Sequence, residues 1–145
     1  MFRIHTKQLE AFREQEKTSF INRVVAYLLH AHPDTEVKLD ENRRVPLQRL
    51  PRAVLHAMVR GGVTRAERYG ITWESNLTAF VVTMFTSAPN FDEHPCIRRH
   101  LATSEVDPNL RLDLLWEETS DEVWDAVSAS YDAGSWALSE AHDGR

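Results

Sequence analysis

Residues 72–86 read TWESNLTAFVVTMFT and form a strongly apolar segment near the middle of the chain. Thr72 suits the N-cap of a helix, and Glu74 follows in the first turn, where the helix dipole favours an acid. A helix that is apolar around most of its circumference is typical of a protein interior, so we place this one at the centre of the fold. Its apolar positions are Trp73, Leu77, Phe80, Val81, Met84 and Phe85.

Helical periodicity predicts further helices on both sides of this segment. A first helix runs from Thr6, its predicted N-cap, to about His32, because the next residue is a proline. A second begins near Pro51 and ends at Gly70. Gly61-Gly62 inside it predict either a close helix crossing or a break into two helices. The apolar face of the first helix is Leu9, Phe12, Phe20, Val24 and Leu28.

The C-terminal part is predicted to be helical as well. We expect a short helix from Pro95 to Ala102 and further helices beginning near Pro108 and Ser120. Residues 33–50 are interpreted as turns with a short helix, and no convincing strand pattern is found. The predicted fold is all-α, an irregular single-domain bundle of about five to six helices over residues 1–133. Residues 134–145 are predicted to be a frayed tail, on which Trp136 and Leu138 are the candidates for docking.

Composition favours a cytosolic globular domain. The chain has 145 residues and one cysteine, Cys96, which excludes an internal disulfide and fits a reducing compartment. The N-terminal segment is charged throughout and lacks the apolar core of a signal peptide. No apolar run is long enough to cross a bilayer. We therefore expect a cytoplasmic protein with no membrane partner.

Charge is unevenly distributed along the chain. Residues 1–100 contain 15 Lys/Arg and 11 Asp/Glu, whereas residues 101–145 contain 2 and 11. Such asymmetry is compatible with an acidic face that meets a basic partner and also with an ordinary solvated surface, which is the more common case. Nucleic acid is not an expected partner, because the basic residues are interspersed with acids.

His94, Cys96 and His100 are the candidate metal ligands. A helix places Cys96 and His100 on one face, as zinc coordination requires, with Asp92 or Glu93 as the candidate fourth ligand. The alternative is that Cys96 is a small buried apolar residue, and we expect no cofactor. No nucleophile elbow, phosphate-binding loop or HExxH pattern occurs. We expect no small-molecule substrate and no enzymatic activity.

One set of motifs resembles a known family. RYGIT at residues 68–72, an apolar helix ending in MF at 84–85, and NFD at 90–92 followed by Pro95 resemble motifs of small helical proteins from Gram-negative bacteria. QLEAFR at 8–13 and His-Pro at 32–33 also match, so the resemblance covers roughly residues 5–100. These proteins are typically encoded beside spike and effector genes of the type VI secretion system and have no established catalytic motif. Departures from the pattern are His94, where an acid or small residue is expected, and Trp73, where a polar one is expected.

The resemblance implies a non-catalytic accessory protein of type VI secretion, such as an effector adaptor or chaperone that binds a spike or effector protein. One alternative is an immunity protein whose acidic C-terminal third neutralises a cognate toxin. A second alternative is a small metal-dependent enzyme built on the candidate ligands.

Two regions are predicted to bind the partner, with an ordinary solvated surface as the alternative for each. The first is the loop up to Pro95 with the basic pair after it: Asn90, Asp92, Glu93, His94, Arg98 and Arg99. The second is acidic: Glu117, Glu118, Asp121, Glu122 and Asp125.

Overall fold

The computed structural model describes the backbone of residues 6–102 and 106–136, and the side chains from residue 13 onward within those ranges. This part of the chain contains six α-helices and one small hairpin, which confirms the predicted all-α class. The helices are α1 (Thr6–Ala31), α2 (Arg52–Arg68), α3 (Glu74–Thr86), α4 (Pro95–Ala102), α5 (Pro108–Glu118) and α6 (Asp121–Ala129).

Helix α3 lies at the centre of the fold, as its apolar sequence predicts. Helices α1 and α2 pack against it and against each other. Of the apolar face predicted for α1, Phe20, Val24 and Leu28 are buried, and Ile21 and Val25 are buried beside them. Leu9 and Phe12 lie outside the described side chains. The buried side chains of α3 are Asn76, Leu77, Phe80, Val81, Met84 and Phe85.

The two glycines of α2 mark a close helix crossing and not a break, because α2 continues without interruption to Arg68. A Cβ atom on Gly62 would lie 2.9 Å from Sδ of Met84 and 3.1 Å from Cγ2 of Val81, both on α3. A Cβ atom on Gly61 would meet nothing within 4 Å. Only Gly62 is therefore required for the approach of α2 to α3.

The N-terminus of α3 is capped differently from the prediction. Thr72 is not the N-cap: the helix begins at Glu74, and the cap residue Trp73 makes no side-chain cap hydrogen bond. Instead, Oδ1 of Asn109 on α5 accepts hydrogen bonds from the backbone N–H groups of Thr72 and Trp73, at 3.3 and 3.0 Å. A tertiary contact thus fixes the two residues that precede α3, and the predicted side-chain cap by Thr72 is not formed.

The other predicted helix boundaries fit the structure. Gly70 follows the end of α2 with φ +86, a conformation that favours glycine. Helix α4 spans the predicted residues. Ser120 caps α6 by accepting a hydrogen bond from the N–H of Val123. Thr6 is the first described residue, so its predicted role as an N-cap stays a prediction.

Residues 36–46 form a hairpin that the sequence interpretation missed. Strand β1 (Glu36–Asp40) pairs antiparallel with β2 (Arg43–Pro46), and Val37 lies opposite Val45. Val37 is fully buried, which fixes the face that the hairpin presents to the core. Alternating Val37 and Leu39 before a turn containing Asn42 were the available signal.

The end of the described chain is packed and not frayed. Residues 133–136 form a short 3-10 helix, and Trp136 is buried with its ring centroid 4.8 Å from that of Phe85. Nε1 of Trp136 donates to the hydroxyl of Tyr131, which in turn accepts from the N–H of Lys38 in β1. The rest of the predicted tail, including Leu138, lies outside the described residues.

Candidate protein-binding surface

Helices α5 and α6 present a dense group of carboxylates to solvent. We define the acidic surface by its six exposed acids, which are Asp113, Glu117, Glu118, Asp121, Glu122 and Asp125. No Lys or Arg occurs between Arg111 and Arg145, so no cation on these two helices beyond Arg111 offsets them. Such a surface has a negative potential that attracts a basic partner.

The acidic surface is nearly free of ion pairs. Among the described residues, the one basic side chain within 4.0 Å of these six acids is His100, whose Nε2 lies 3.7 Å from Oε2 of Glu118. Other surface acids of the chain do have cationic partners: Glu67 lies 2.9 Å from Lys17, and Glu74 lies 2.9 Å from Arg23. The carboxylates of α5 and α6 thus form a dense group that is available to an external cation.

Aromatic side chains pack the two helices of the acidic surface against each other. The rings of Trp116 on α5 and Trp124 on α6 stack with centroids 5.8 Å apart. Phe91, in a 3-10 helix over Phe91–Glu93, lies 6.5 Å from the first ring and 6.2 Å from the second. Because these large rings pack α5 against α6, they fix the positions of the two helices that carry the carboxylates.

The predicted loop region lies beside α6. Nδ2 of Asn90 donates to the carbonyl of Ser130 at 3.0 Å, and Oδ1 of Asn90 accepts from the N–H of Asp132 at 3.0 Å. A cleft of about 190 Å³ between this region and α6 is lined by Asn90, Glu93, His94, Pro95, Val127 and Ser130. The structure therefore places the predicted loop region beside the C-terminal end of α6, next to Val127 and Ser130.

Asp92 is not an exposed member of that region, contrary to the prediction. Its side chain is buried, with Oδ2 accepting a 2.7 Å hydrogen bond from the Tyr69 hydroxyl and lying 3.3 Å from Nε of Arg65. Its Oδ1 makes no hydrogen bond within the described part of the chain. Asp92 thus anchors the segment to α2 and presents no carboxylate to a partner.

Burial also changes the proton affinity of Tyr69. Desolvation, followed by the hydrogen bond to Asp92 and the charge of that carboxylate, raises the pKa of Tyr69 from 10.0 to about 12. Tyr69 is therefore a hydrogen-bond donor at neutral pH. Burial likewise raises the pKa of Tyr131.

The remaining residues of the predicted loop region differ in accessibility. Glu93, Arg98 and Arg99 are exposed, whereas Asn90 and His94 are half-buried. Glu93 is also engaged, since its Oε2 lies 3.4 Å from Nη2 of Arg65. Two arginines on α4 are therefore the exposed cations of this region.

The candidate metal ligands do not converge in the structure. Cys96 is exposed, which excludes the interpretation of a buried apolar cysteine. Nδ1 of His94 accepts a hydrogen bond from the N–H of Cys96, and His100 faces Glu118. Across residues 6–102 and 106–136, no group of three or more His, Cys, Asp or Glu side chains is placed to hold a metal ion.

Three large apolar side chains are exposed in the structure. Trp73, which the sequence pattern placed in the central apolar helix, is 51 % exposed, and Leu110 and Leu114 on α5 are 48 % and 38 % exposed. The available signal was on α5, where Leu110 and Leu114 share a helical face with Asp113 and Glu117. We refer to these three residues as the apolar patch.

Comparisons with known proteins add no family. No protein-family model matches the chain, and no similar curated protein or solved structure was found. Within the described ranges, none of the helices has the length and apolarity needed to cross a membrane.

Proposed function

We propose that this chain is a non-catalytic protein that binds a basic partner protein through the acidic surface. The observation that carries the proposal is the run of exposed carboxylates over residues 113–125, without a single Lys or Arg among them. Acids held so close together repel one another, and a cationic partner relieves that repulsion. Complementary charge also speeds encounter and selects among partners.

The proposed biological setting is the cytoplasmic side of a type VI secretion system, where the chain acts as an effector adaptor or chaperone. The support for this setting is the sequence resemblance, carried by residues 68–72 and 90–92. In the structure these motifs have structural roles. Gly70 follows the end of α2, and Asp92 connects the segment after α3 to Tyr69 and Arg65. In this proposal the motifs build the scaffold, and α5 and α6 carry the recognition.

An immunity protein is the second candidate function, and the same acidic surface favours it. A toxin that acts on nucleic acid or another anionic substrate has a basic active site, which a rigid acidic surface can occlude. Adaptor and immunity protein differ in outcome and not in chemistry. The adaptor delivers an active effector, whereas the immunity protein abolishes the toxin's activity.

The test is affinity capture of the tagged chain from the bacterium that encodes it, with the bound proteins identified by mass spectrometry. The decisive comparison is a Glu117→Lys/Asp125→Lys variant against a Glu36→Lys/Glu41→Lys control, which changes the net charge equally on the exposed hairpin. We expect a spike or effector protein with the wild type and the control and not with the first variant. Equal recovery with all three chains would contradict the proposal.

Expressing the captured protein in bacteria with and without this chain, and comparing growth and secretion, then separates the two candidate functions. Rescue of growth by this chain identifies an immunity protein. Secretion that depends on the chain, with no rescue of growth, identifies an adaptor.

A further inference from the structure

The apolar patch combines residues from two elements that are distant in sequence. Leu110 and Leu114 are one turn apart on α5 and point outward, because Leu112 and Leu115 occupy the buried face of that helix. Trp73 precedes α3 and is half exposed.

Asn109 fixes Trp73 beside the first turn of α5. The N–H of Trp73 donates to Oδ1 of Asn109, the residue directly before Leu110. The preceding turn is equally close, since a Cβ atom on Gly70 would lie 2.8 Å from Cγ of Pro108. These contacts place the backbone of Trp73 next to the first turn of α5, where the exposed Leu110 lies. Exposed large apolar side chains that lie near one another are typical of an interaction site.

The charges beside the two leucines of the apolar patch are acidic, whereas Glu74, next to Trp73, is paired with Arg23. Asp113 and Glu117 are exposed on the same outward face of α5 as Leu110 and Leu114. Arg111, the one cation of α5, is turned away to donate from Nη1 to the carbonyl oxygen of Leu101. An apolar centre with a negative rim is complementary to an apolar segment flanked by Lys or Arg.

We propose that Trp73, Leu110 and Leu114 form the anchor site for an amphipathic helix of the partner protein, whose apolar face is bordered by Lys or Arg. Spacing supports a helix as the occupant, because side chains one turn apart on α5 match anchors one turn apart on the partner. A second copy of this chain is a poor occupant, since its acidic rim would face an identical one. The proposal rests on the proposed protein-binding function and names its contact residues.

The experiment uses the full chain and a defined probe, a Leu/Lys peptide of about 15 residues with its leucines on one helical face. Binding is followed by tryptophan fluorescence and by amide shifts in NMR. We expect saturable binding, a blue shift in emission that disappears in Trp73→Phe, and amide shifts centred on α5. A Leu110→Gln/Leu114→Gln variant should bind at least about tenfold more weakly, as expected for loss of anchor residues.

Matched controls separate anchoring from charge. Tyr27→Gln removes another exposed apolar side chain, 48 % exposed on α1, and should leave binding unchanged. A scrambled peptide of the same composition keeps the charge and loses the apolar face. Equal binding of the scrambled peptide, no binding of either peptide, or self-association of the chain through this face would each overturn the anchor site.

Failure of the anchor site and failure of the proposed function are distinguishable. If the peptide does not bind while Glu117→Lys/Asp125→Lys still abolishes capture of the natural partner, the anchor site alone is wrong. If neither the peptide nor the charge reversal has an effect, both proposals are wrong.

Discussion

The hydroxyl of Tyr69, at the end of α2, donates a 2.7 Å hydrogen bond to Oδ2 of Asp92, which follows α3. Arg65, one turn before Tyr69, completes the contact by placing Nε 3.3 Å from the same oxygen. This arrangement fixes the segment after α3 to α2. The same segment carries Phe91 toward the stacked Trp116 and Trp124 beneath the acidic surface.

Replacing Tyr69 by Phe tests this contact through its pH dependence. Tyr69 ionises near pH 10.0 when unfolded and at about 12 when folded, so the unfolded state loses its proton first. The contribution of Tyr69 is present below about pH 10 and is lost as the pH rises to about 12. We expect Tyr69→Phe to lower the free energy of unfolding by about 1–2 kcal/mol at neutral pH and to flatten its decline above about pH 10. Urea denaturation across this range measures both effects. In the control variant Tyr131→Phe, the pH-dependent contribution of Tyr69 to the free energy of unfolding should be retained. An unchanged slope in Tyr69→Phe would contradict the assignment.

The adjacent glycines of α2 give opposite predictions for the same substitution. Gly61→Ala adds a methyl group in open space and should raise the free energy of unfolding by about 0.5–1 kcal/mol through helix propensity. Gly62→Ala forces a methyl group against Met84 and Val81, and should lower it by about 1 kcal/mol despite the same propensity gain. Thermal and urea denaturation of the two variants decide the sign. Equal stabilisation by both would show that α2 and α3 are further apart than described.

Asn109→Ala removes the acceptor for the N–H groups of Thr72 and Trp73, which precede α3, and the hydrogen bond from Nδ2 of Asn109 to Oγ1 of Thr72. The expected loss is about 2–3 kcal/mol, because two backbone N–H groups lose their acceptor at once. Ser120→Ala, which removes a single local cap on α6, is the matched comparison and should cost about 1 kcal/mol. Similar losses of unfolding free energy for both variants would show that the tertiary contact of Asn109 stabilises the fold no more than a single local cap does.

Two tryptophans should differ sharply in their effect on stability. Trp136 is 4 % exposed and Trp73 is 51 % exposed. Trp136→Ala should therefore lower the free energy of unfolding by about 3–5 kcal/mol, whereas Trp73→Ala should change it by less than about 0.5 kcal/mol. A large loss with Trp73→Ala would place that side chain in the core, and would remove it from the apolar patch.

Periodicity was sufficient to predict most helices, because the apolar positions and the residues that begin and end each helix indicate the same boundaries. Helix α4 and the capping of α6 by Ser120 are clear cases. Periodicity was insufficient on α5, where apolar residues occur at nearly every position and the buried face is ambiguous. The core there is formed by Leu112 and Leu115, and the outward leucines are revealed only by packing.

The candidate site was partly predictable for a related reason. Local charge indicated the acidic surface, since charged residues in a short segment without opposite charges remain solvated. Asp92 belonged to an equally polar segment, yet Tyr69 and Arg65 draw it into the interior. Such partners, more than twenty residues away in sequence, have no signature in the local pattern.

The most direct test of the acidic surface is the dissociation constant of the purified partner at two salt concentrations. The chains compared are the wild type, Glu117→Lys/Asp125→Lys, and the control Glu36→Lys/Glu41→Lys. Glu117→Lys also places a cation in the last turn of α5, where the helix dipole favours it, so folding should be retained. We predict that the first variant binds at least about tenfold more weakly and with a smaller salt dependence, whereas the control binds like the wild type. Equal affinities and equal salt dependences for all three chains would contradict recognition by the acidic surface.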